Sequence, residues 1–184
     1  MGVALNHQGK LDEAIHVYNK SLSLNSDNAE THKNLSLAFL QSGMIKEGLD
    51  EYEWRWKTNK LLPLQRQFLQ PIWDGQASLK GKRILVWCEQ GIGDTMNWSS
   101  CLSLLISRAK GCILECQEKL VPLLSRSFPS VEVKAEDRSL DSERDDFDFH
   151  LPMGSLYKHF IDEIMENDKA DAYLVPDPSR VKYW

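Results

Sequence analysis

The feature that most constrains this chain is an apolar run that ends in a glycine turn at residues 83–98, RILVWCEQGIGDTMNW. The continuous apolar run at residues 83–88 is typical of a buried parallel strand. Gly91 and Gly93 form a tight turn, and Asp94 follows where a helical pattern begins. Because ligands of open α/β sheets bind at the carboxyl ends of strands, this strand–turn–helix unit predicts a binding site.

The turn has two rival interpretations as a phosphate-binding loop. It starts like the dinucleotide fingerprint G-x-G-x-x-G, but Met96 stands where the third glycine is needed. Asp94 also opposes phosphate, because a carboxylate at a helix N-terminus takes the free N–H donors and repels an anion. A P-loop is excluded, since no Gly-Lys-Ser/Thr ending follows. A weaker alternative keeps a dinucleotide domain in which Glu115 or Glu118 binds the ribose.

Asp94 itself has a structural and a functional interpretation. An aspartate at this position caps the N-terminus of the helix that follows. The flanking glycines also leave open backbone beside the carboxylate, which favours a functional role in binding or proton transfer.

Alternating strand and helix patterns place more polar residues near this turn. We predict parallel strands at residues 83–88, 112–117, 131–135 and 147–151, with residues 173–175 as a candidate fifth strand. Right-handed crossovers bring the carboxyl ends of such strands to one edge of the sheet. That predicted edge carries Glu89, Gln90, Gln117, Glu118, Glu136, His150 and Ser155. The remaining histidines, His7, His16, His32 and His159, are interpreted as surface residues.

The first part of the chain repeats with a period of 34 residues, as Gly9 and Gly43, Ala14 and Gly48, Tyr18 and Tyr52, and Leu5 and Phe39 show. This period and this pattern of small and aromatic residues are those of the tetratricopeptide (TPR) repeat. A stable array usually needs about three repeats, and fewer than two are present. We therefore expect either a piece of a longer protein or a pair that is stabilised by packing on the next domain.

These patterns predict the domain organisation. TPR helices occupy residues 1–58, and a linker with Pro63, Pro71 and an Asp74–Gly75 turn occupies residues 59–81. The α/β domain occupies residues 82–178, and residues 179–184 begin an interdomain connection. Within the linker, Trp73 is predicted to be a packing anchor.

Several segments resemble one bacterial family. They are EQGIGDT at residues 89–95, PIWDG at 71–75, YEWRW at 52–56, LECQEKLVPLL at 114–124 and FDFHLPMGSL at 147–156. Together they resemble TPR proteins with a glycosyltransferase-like domain, relatives of the ADP-heptose lipopolysaccharide heptosyltransferases, and the resemblance covers nearly the whole chain. The fold it implies is α/β: a Rossmann-like parallel sheet, forming the N-terminal half of a GT-B enzyme, preceded by a TPR pair. After GDT the family usually has a Gln-Phe pair and then an Arg-Tyr pair, whereas this chain has Asn97, Trp98, Ser100 and Cys101.

The resemblance also implies a reaction. It makes Asp94 the catalytic base, and it implies a substrate-binding set of Glu89, Gln90, Gly91, Gly93, Thr95, Asn97, His150 and Ser155. The reaction would transfer a sugar from a nucleotide-sugar donor to a saccharide or peptide acceptor, without a metal or another cofactor. Because the donor half of a GT-B enzyme would follow this sequence, we expect the chain alone to be inactive.

The rival interpretation is an interaction scaffold. TPR helices bind proteins or peptides, and the α/β part would then be a degenerate domain without chemistry. Self-association through the repeat helices is a further expectation, because the ends of a repeat stack are apolar unless capped.

The charge and the cysteine content restrict which partners and which cellular compartment are possible. The net charge of −5 matches the balance of residues 136–148, which hold seven acids and two arginines, so the rest of the chain is neutral and has no basic stripe. This argues against nucleic acid and anionic membranes as partners. The acidic run is interpreted as a solvated loop, with a metal site as the alternative. Four cysteines without metal-binding spacing, no signal peptide and no apolar run of about 18 residues predict a cytoplasmic protein with reduced thiols.

Overall fold

The computed structural model describes residues 1–139, 141–166 and 172–182. The chain forms two compact units, Met1–Gln65 and Arg66–Trp184. The division falls inside the segment predicted as a linker. The first unit is helical and the second contains a sheet.

Four helices build the first unit. They are α1 (Gly2–His7), α2 (Leu11–Leu24), α3 (Ala29–Ser42) and α4 (Ile45–Tyr52), and 3₁₀ turns follow at Glu53–Lys57 and Leu62–Leu64. The side chain of Asn28 caps α3 by accepting a hydrogen bond from the Thr31 N–H at 3.0 Å. Gly43 ends the same helix in the left-handed conformation, with φ at 85°, which favours glycine.

The helices of the first unit pack through small residues at repeat-equivalent positions. Ala14 and Tyr18 of α2 form a buried core with Leu35 and Ala38 of α3. Gly48, the repeat equivalent of Ala14, lies against α3: a Cβ atom there would be 2.7 Å from the Leu40 side chain and 3.0 Å from its backbone nitrogen. Small side chains at these positions therefore let consecutive helices approach closely.

His32 lies in the interior of the first unit, so its interpretation as a surface residue is wrong. Its ring is stacked on Trp54, with centroids 3.7 Å apart and planes inclined by 6°. Its Nε2 atom lies 2.8 Å from the Ser26 carbonyl oxygen, and its Nδ1 atom pairs with Glu51. Lys57 covers Trp54, with its ammonium 3.7 Å from the centroid of the indole ring. The spacing of His32 from Leu35 and Phe39, at i+3 and i+7, was the available signal that this histidine faces the interior.

The second unit is built on a four-stranded parallel sheet. Its strands are β1 (Arg83–Trp87), β2 (Gly111–Cys116), β3 (Glu132–Ala135) and β4 (Phe149–Pro152), in the order β3-β2-β1-β4. Its helices are α5 (Ile92–Trp98), α6 (Leu102–Ile106), α7 (Val121–Ser127), α8 (Leu156–Glu166) and α9 (Pro178–Val181). In the register, Leu85 of β1 pairs with Ile113 of β2 and with His150 of β4. The α/β class and the four parallel strands are thus confirmed.

The predicted fifth strand at residues 173–175 is wrong. This segment has no strand conformation, because side chains of its neighbours bind its polar groups. The Ser127 hydroxyl accepts a hydrogen bond from the Val175 N–H at 2.9 Å, and Arg126 donates to the Val175 carbonyl at 2.9 Å. The Tyr173 hydroxyl donates to the Met96 carbonyl at 2.8 Å.

The outer edge of β4 is occupied by residues 71–73. Ile72 forms a parallel bridge with His150, and the Trp73 N–H donates to the His150 carbonyl at 2.9 Å. Trp73 is 2% exposed, and its indole N–H donates to the Ala77 carbonyl at 2.8 Å. Its predicted role as a packing anchor is confirmed.

A buried ion network surrounds Glu115 in β2. The fully buried guanidinium of Arg66 binds Glu115 and Asp141, and it donates to the Asp137 carbonyl at 2.9 Å. Burial lowers the pKa of Arg66, but its bonds to Asp141 and Glu115 outweigh this effect and raise the pKa above its usual value. Arg144 binds Glu115 as well, so two arginines share one strand carboxylate.

The acidic run at residues 136–148 is tied to the second unit and is not simply a solvated loop. Besides the contacts of Asp141, Asp146 accepts from the Arg144 Nε atom at 2.9 Å. Asp148 accepts from the Lys82 ammonium at 2.8 Å and from the Arg83 N–H at 2.8 Å. The solvated-loop interpretation is therefore wrong for Asp141, whose side chain is 11% exposed, whereas the side chains of Asp146 and Asp148 remain 34% and 37% exposed. Among the residues that the structure describes, no helix is both long and apolar enough to cross a bilayer.

We predict that replacing Gly48 by alanine destabilises the first unit. A Cβ atom there overlaps Leu40, and such overpacking costs about 1–3 kcal/mol. Gly93→Ala in α5 is the matched control, because a Cβ at that position has no atom within 4 Å. Without overlap, Gly→Ala stabilises by about 0.4–1 kcal/mol. Calorimetric melting of both variants checks the opposite signs, and equal shifts would contradict the packing argument.

We also predict a large difference between two glutamates on neighbouring strands. Glu115→Ala leaves two arginines without a shared buried partner, and breaking a buried pair costs about 3–5 kcal/mol. Glu132→Ala removes exposed pairs with Arg83 and Lys134, which are worth about 0–1 kcal/mol. Urea unfolding of the two variants measures the difference. Similar losses for both would show that the network does not stabilise the second unit.

Candidate functional site

The carboxyl ends of β1 and β4 are joined by Glu89. This residue follows β1 and is 6% exposed. Its two carboxylate oxygens accept from the Gly154 N–H at 3.2 and 3.4 Å, and Gly154 belongs to the 3₁₀ turn Met153–Ser155 after β4. Glu89 therefore links the carboxyl ends of β1 and β4. These ends are adjacent because the two strands are parallel neighbours.

Gln117 links the end of β2 to the glycine turn. Its Nε2 atom donates to the Gln90 carbonyl at 2.6 Å, and the Thr95 hydroxyl donates to its Oε1 atom at 3.2 Å. Thr95 is 1% exposed. The predicted convergence of Gln90 and Gln117 at one edge is therefore present in the structure, and Thr95 joins them.

Asp94 is exposed at the N-terminus of α5. Its Oδ2 atom accepts a hydrogen bond from the Gly91 N–H at 3.1 Å, and Gly91 is the N-cap residue of this helix. Asp94 is therefore the third residue of the helix and not its N-cap, as the structural interpretation had it, but its carboxylate still stabilises the helix start by binding the N-cap N–H. This contact uses only one oxygen of the exposed carboxylate. Catalysis by Asp94 stays a prediction.

The turn presents an open surface around this carboxylate. Gly91, Gly93 and Asn97 are exposed, and a Cβ atom at Gly93 would meet no atom within 4 Å. Ile92 is 44% exposed between the two glycines. A ligand approaching the turn would meet bare backbone, one apolar side chain and one carboxylate.

His150 and Ser155 lie in the interior of the second unit, where the structure buries them to 4% and 2% exposure. The indole N–H of Trp87 donates to the His150 Nδ1 atom at 3.2 Å. Burial, together with the charge of Arg66, lowers the pKa of His150 to about 4. This histidine is therefore neutral at pH 7 and does not share the exposed surface of the turn.

The structure disfavours Glu115 as the ribose ligand of a dinucleotide-binding domain. Glu115 is buried and bound by Arg66 and Arg144, so its carboxylate is not available to a ribose. Glu118 is exposed in the 3₁₀ turn Glu118–Leu120 after β2.

The cysteines are free, buried thiols, as predicted. Burial raises the pKa of Cys101 to about 11, of Cys112 to about 12 and of Cys116 to about 11. Burial also raises the pKa of Cys88. All four are protonated at neutral pH and are poor nucleophiles. Within residues 1–139, 141–166 and 172–182, no three His, Cys, Asp or Glu side chains are grouped to hold a metal ion.

Sequence reasoning missed the network around Glu115. A charged residue inside the apolar strand Gly111–Cys116 was the available signal, because a buried carboxylate needs a cation. Its partner Arg66 lay in the segment predicted as a linker, 49 positions earlier. Sequence spacing alone does not connect the two.

Comparisons with known proteins support the repeat assignment. The model of the TPR repeat family matches residues 2–43. The chain is also 30% identical over 160 residues to Protein FlbA of Caulobacter vibrioides, in an alignment that covers 79% of this chain and 26% of that protein. The chain thus spans about a quarter of the length of this curated relative. No solved structure matches it. The chain contains a TPR repeat and is a distant homologue of FlbA.

Proposed function

We propose that the first unit is a protein-binding module. The observation that carries this proposal is an apolar row on the helices of the TPR match. Val3 of α1 and Leu37 of α3 occupy equivalent positions of the repeat and are 46% and 40% exposed. Stacked repeats present equivalent positions on the same side of the array, and repeat proteins bind extended partners on such surfaces.

The partner that fits this row is a protein segment with apolar side chains. Leu37 lies on the exposed side of α3, whereas Leu35 and Ala38 face the core. Leu37 therefore contributes less to the core than its neighbours in α3. The free, buried cysteines suit a reducing compartment, and we propose that binding takes place in the cytoplasm.

A pair of charge substitutions tests this function. Val3→Glu and Leu37→Glu place charges in the row and should remove the bound partners, because a desolvated carboxylate is costly at an apolar contact. Leu24→Glu is the matched control, since Leu24 is 84% exposed at the end of α2 and lies outside the row. Proximity labelling in cells compares the three variants with the unmodified protein. Sedimentation separates loss of a partner from loss of self-association.

The expected result is loss of specific partners in the two row variants and retention in Leu24→Glu. The same partners in all variants would show that the row does not bind them. A change of oligomeric state with no other partner lost would assign the row to self-association.

Glycosyl transfer is a second candidate function, favoured by the open turn at the carboxyl edge of the parallel sheet. We infer that the second unit is Rossmann-like and forms the acceptor half of a GT-B enzyme, with a nucleotide sugar as donor. Asp94 would accept the proton of the acceptor hydroxyl, and Glu89, Gln117 and Thr95 would hold the turn in place. The resemblance in sequence and the geometry of the turn support this candidate.

The substitution Asp94→Asn tests glycosyl transfer. It is made in a protein that contains this sequence together with a donor-binding half. The substitution keeps the size and most of the capping ability, so we expect the stability to change by no more than about 1 kcal/mol. Loss of a general base should lower the transfer rate by about a hundredfold or more, with donor affinity retained. Transfer from radiolabelled nucleotide sugars measures the rate.

Asp74→Asn is the matched control. Asp74 is also an exposed aspartate that accepts backbone hydrogen bonds, from Gln76 at 2.9 Å and Ala77 at 2.8 Å. Unimpaired turnover in Asp94→Asn would end the base assignment. Stronger nucleotide binding in Asp94→Asn would instead show that the turn binds a phosphate group, because the substitution removes a charge that repels it.

A further inference from the structure

A groove in the second unit lies between α7 and residues 176–181. It encloses about 570 Å³, and we call it the α7 groove. Leu120 and Leu123 line one wall, and Val181 of α9 lines the other. Val181 is 54% exposed although its side chain is apolar. Leu120 is only 5% exposed, so the accessible apolar surface of the groove comes from Leu123 and Val181.

Three cations surround this apolar surface: Lys119, Arg126 and Arg180. Arg126 is held in place by two neutral acceptors, the carbonyl oxygens of Val175 at 2.9 Å and Pro122 at 3.0 Å. These bonds orient the guanidinium without forming an ion pair. Among the described residues, neither Lys119 nor Arg180 forms an ion pair.

One acid shares the rim of the groove. Asp177 accepts from the Ser179 N–H at 2.9 Å and from the Ser179 hydroxyl at 2.6 Å, which caps α9. These bonds to Ser179, with the charge of Arg126, lower the pKa of Asp177 and keep it ionised. Three cations against one carboxylate leave the rim positive, although the chain as a whole carries −5.

The shape of the groove favours a polypeptide over a small molecule. Small-molecule sites bury roughly 70–90% of their ligand. Here Pro122, Arg180 and Val181 are all exposed, so the groove is open along one side. Apolar side chains ringed by arginine and other polar groups are typical of protein–protein interfaces.

We propose that the α7 groove binds a segment of a partner protein in which acidic residues flank apolar ones. The apolar side chains contact Leu123 and Val181, and the acids pair with the three rim cations. This surface belongs to residues 66–184, so the inference does not depend on peptide binding by the TPR helices or on catalysis at Asp94.

The acidic run of a second copy is a less suitable occupant. Asp141, Asp146 and Asp148 of that run are already bound to Arg66, Arg144 and Lys82. Releasing them would break buried contacts of Arg66. A foreign acidic segment has no such cost.

Synthetic peptides test this inference on the full chain. The probes are short fluorescein-labelled peptides in which glutamates alternate with leucines, the same peptides with lysine in place of glutamate, and a peptide of residues 136–148. The variant Lys119→Glu/Arg180→Glu reverses two rim charges. The variant Lys60→Glu/Lys80→Glu makes the same change of net charge at exposed lysines outside the groove. Fluorescence anisotropy measures binding at two salt concentrations.

We expect saturable binding of the glutamate–leucine peptides only, weakened about tenfold or more by Lys119→Glu/Arg180→Glu and by salt, and little affected by Lys60→Glu/Lys80→Glu. Chemical-shift changes in the unmodified chain should centre on Leu123 and Val181, which keeps the test valid if the variant folds poorly. Equal binding of acidic and basic peptides, or equal losses in both variants, would overturn the inference. Tighter binding of the 136–148 peptide, with concentration-dependent dimers, would overturn it in favour of self-association.

Discussion

The buried guanidinium of Arg66 is the interaction on which the second unit depends. It reaches the Glu115 carboxylate in the middle of the sheet and Asp141 in the acidic run. Removing these ions from water costs several kcal/mol each, and only their mutual contacts and hydrogen bonds offset that cost. The contacts therefore act together: the chain before β1 and the loop before β4 are both fixed to β2, and neither can leave without exposing a buried charge.

This constraint also sets the chemistry of its surroundings. The charge of Arg66 and the burial of the site keep His150 neutral, so its Nδ1 atom can accept the Trp87 indole N–H. The ring of Phe68 lies between, 4.6 Å from His150 and with the Arg66 guanidinium 4.7 Å from its centroid. His150 of β4 thus accepts a hydrogen bond in the core. The nearby charge of Arg66 and the exclusion of water both disfavour its protonation.

Local pattern was enough to predict the strands but not the polar contacts that fix them. The apolar runs at β1 and β2 and the glycine turn after β1 follow from short-range sequence rules, and the structure contains them. The segment at residues 173–175 had the apolar character of a strand, but Ser127 and Arg126 bind the backbone of Val175. His32 shares a helical face with Leu35 and Phe39 and was nevertheless interpreted as a surface residue, whereas Trp54 and Glu51 bury it. Polar contacts with residues far away in the sequence therefore determine the conformation and burial of segments whose local pattern is ambiguous.

The glycine turn combines a rigid base with an open tip, and this combination has a physical origin. Gln117 holds the Gln90 carbonyl at 2.6 Å, and Glu89 holds the turn after β4, so the backbone on either side of the tip is fixed by buried polar bonds. Unsatisfied buried polar groups are costly, so these bonds cannot be broken cheaply when a ligand arrives. The exposed residues from Gly91 to Asp94 are held by backbone bonds of the helix start, such as the one from the Thr95 N–H to the Gly91 carbonyl at 3.0 Å, and by the Asp94 contact with the Gly91 N–H. A ligand at this turn would therefore meet a preorganised surface. The bond to the Gly91 N–H orients the Asp94 carboxylate whether this residue only stabilises the helix start or also takes a proton.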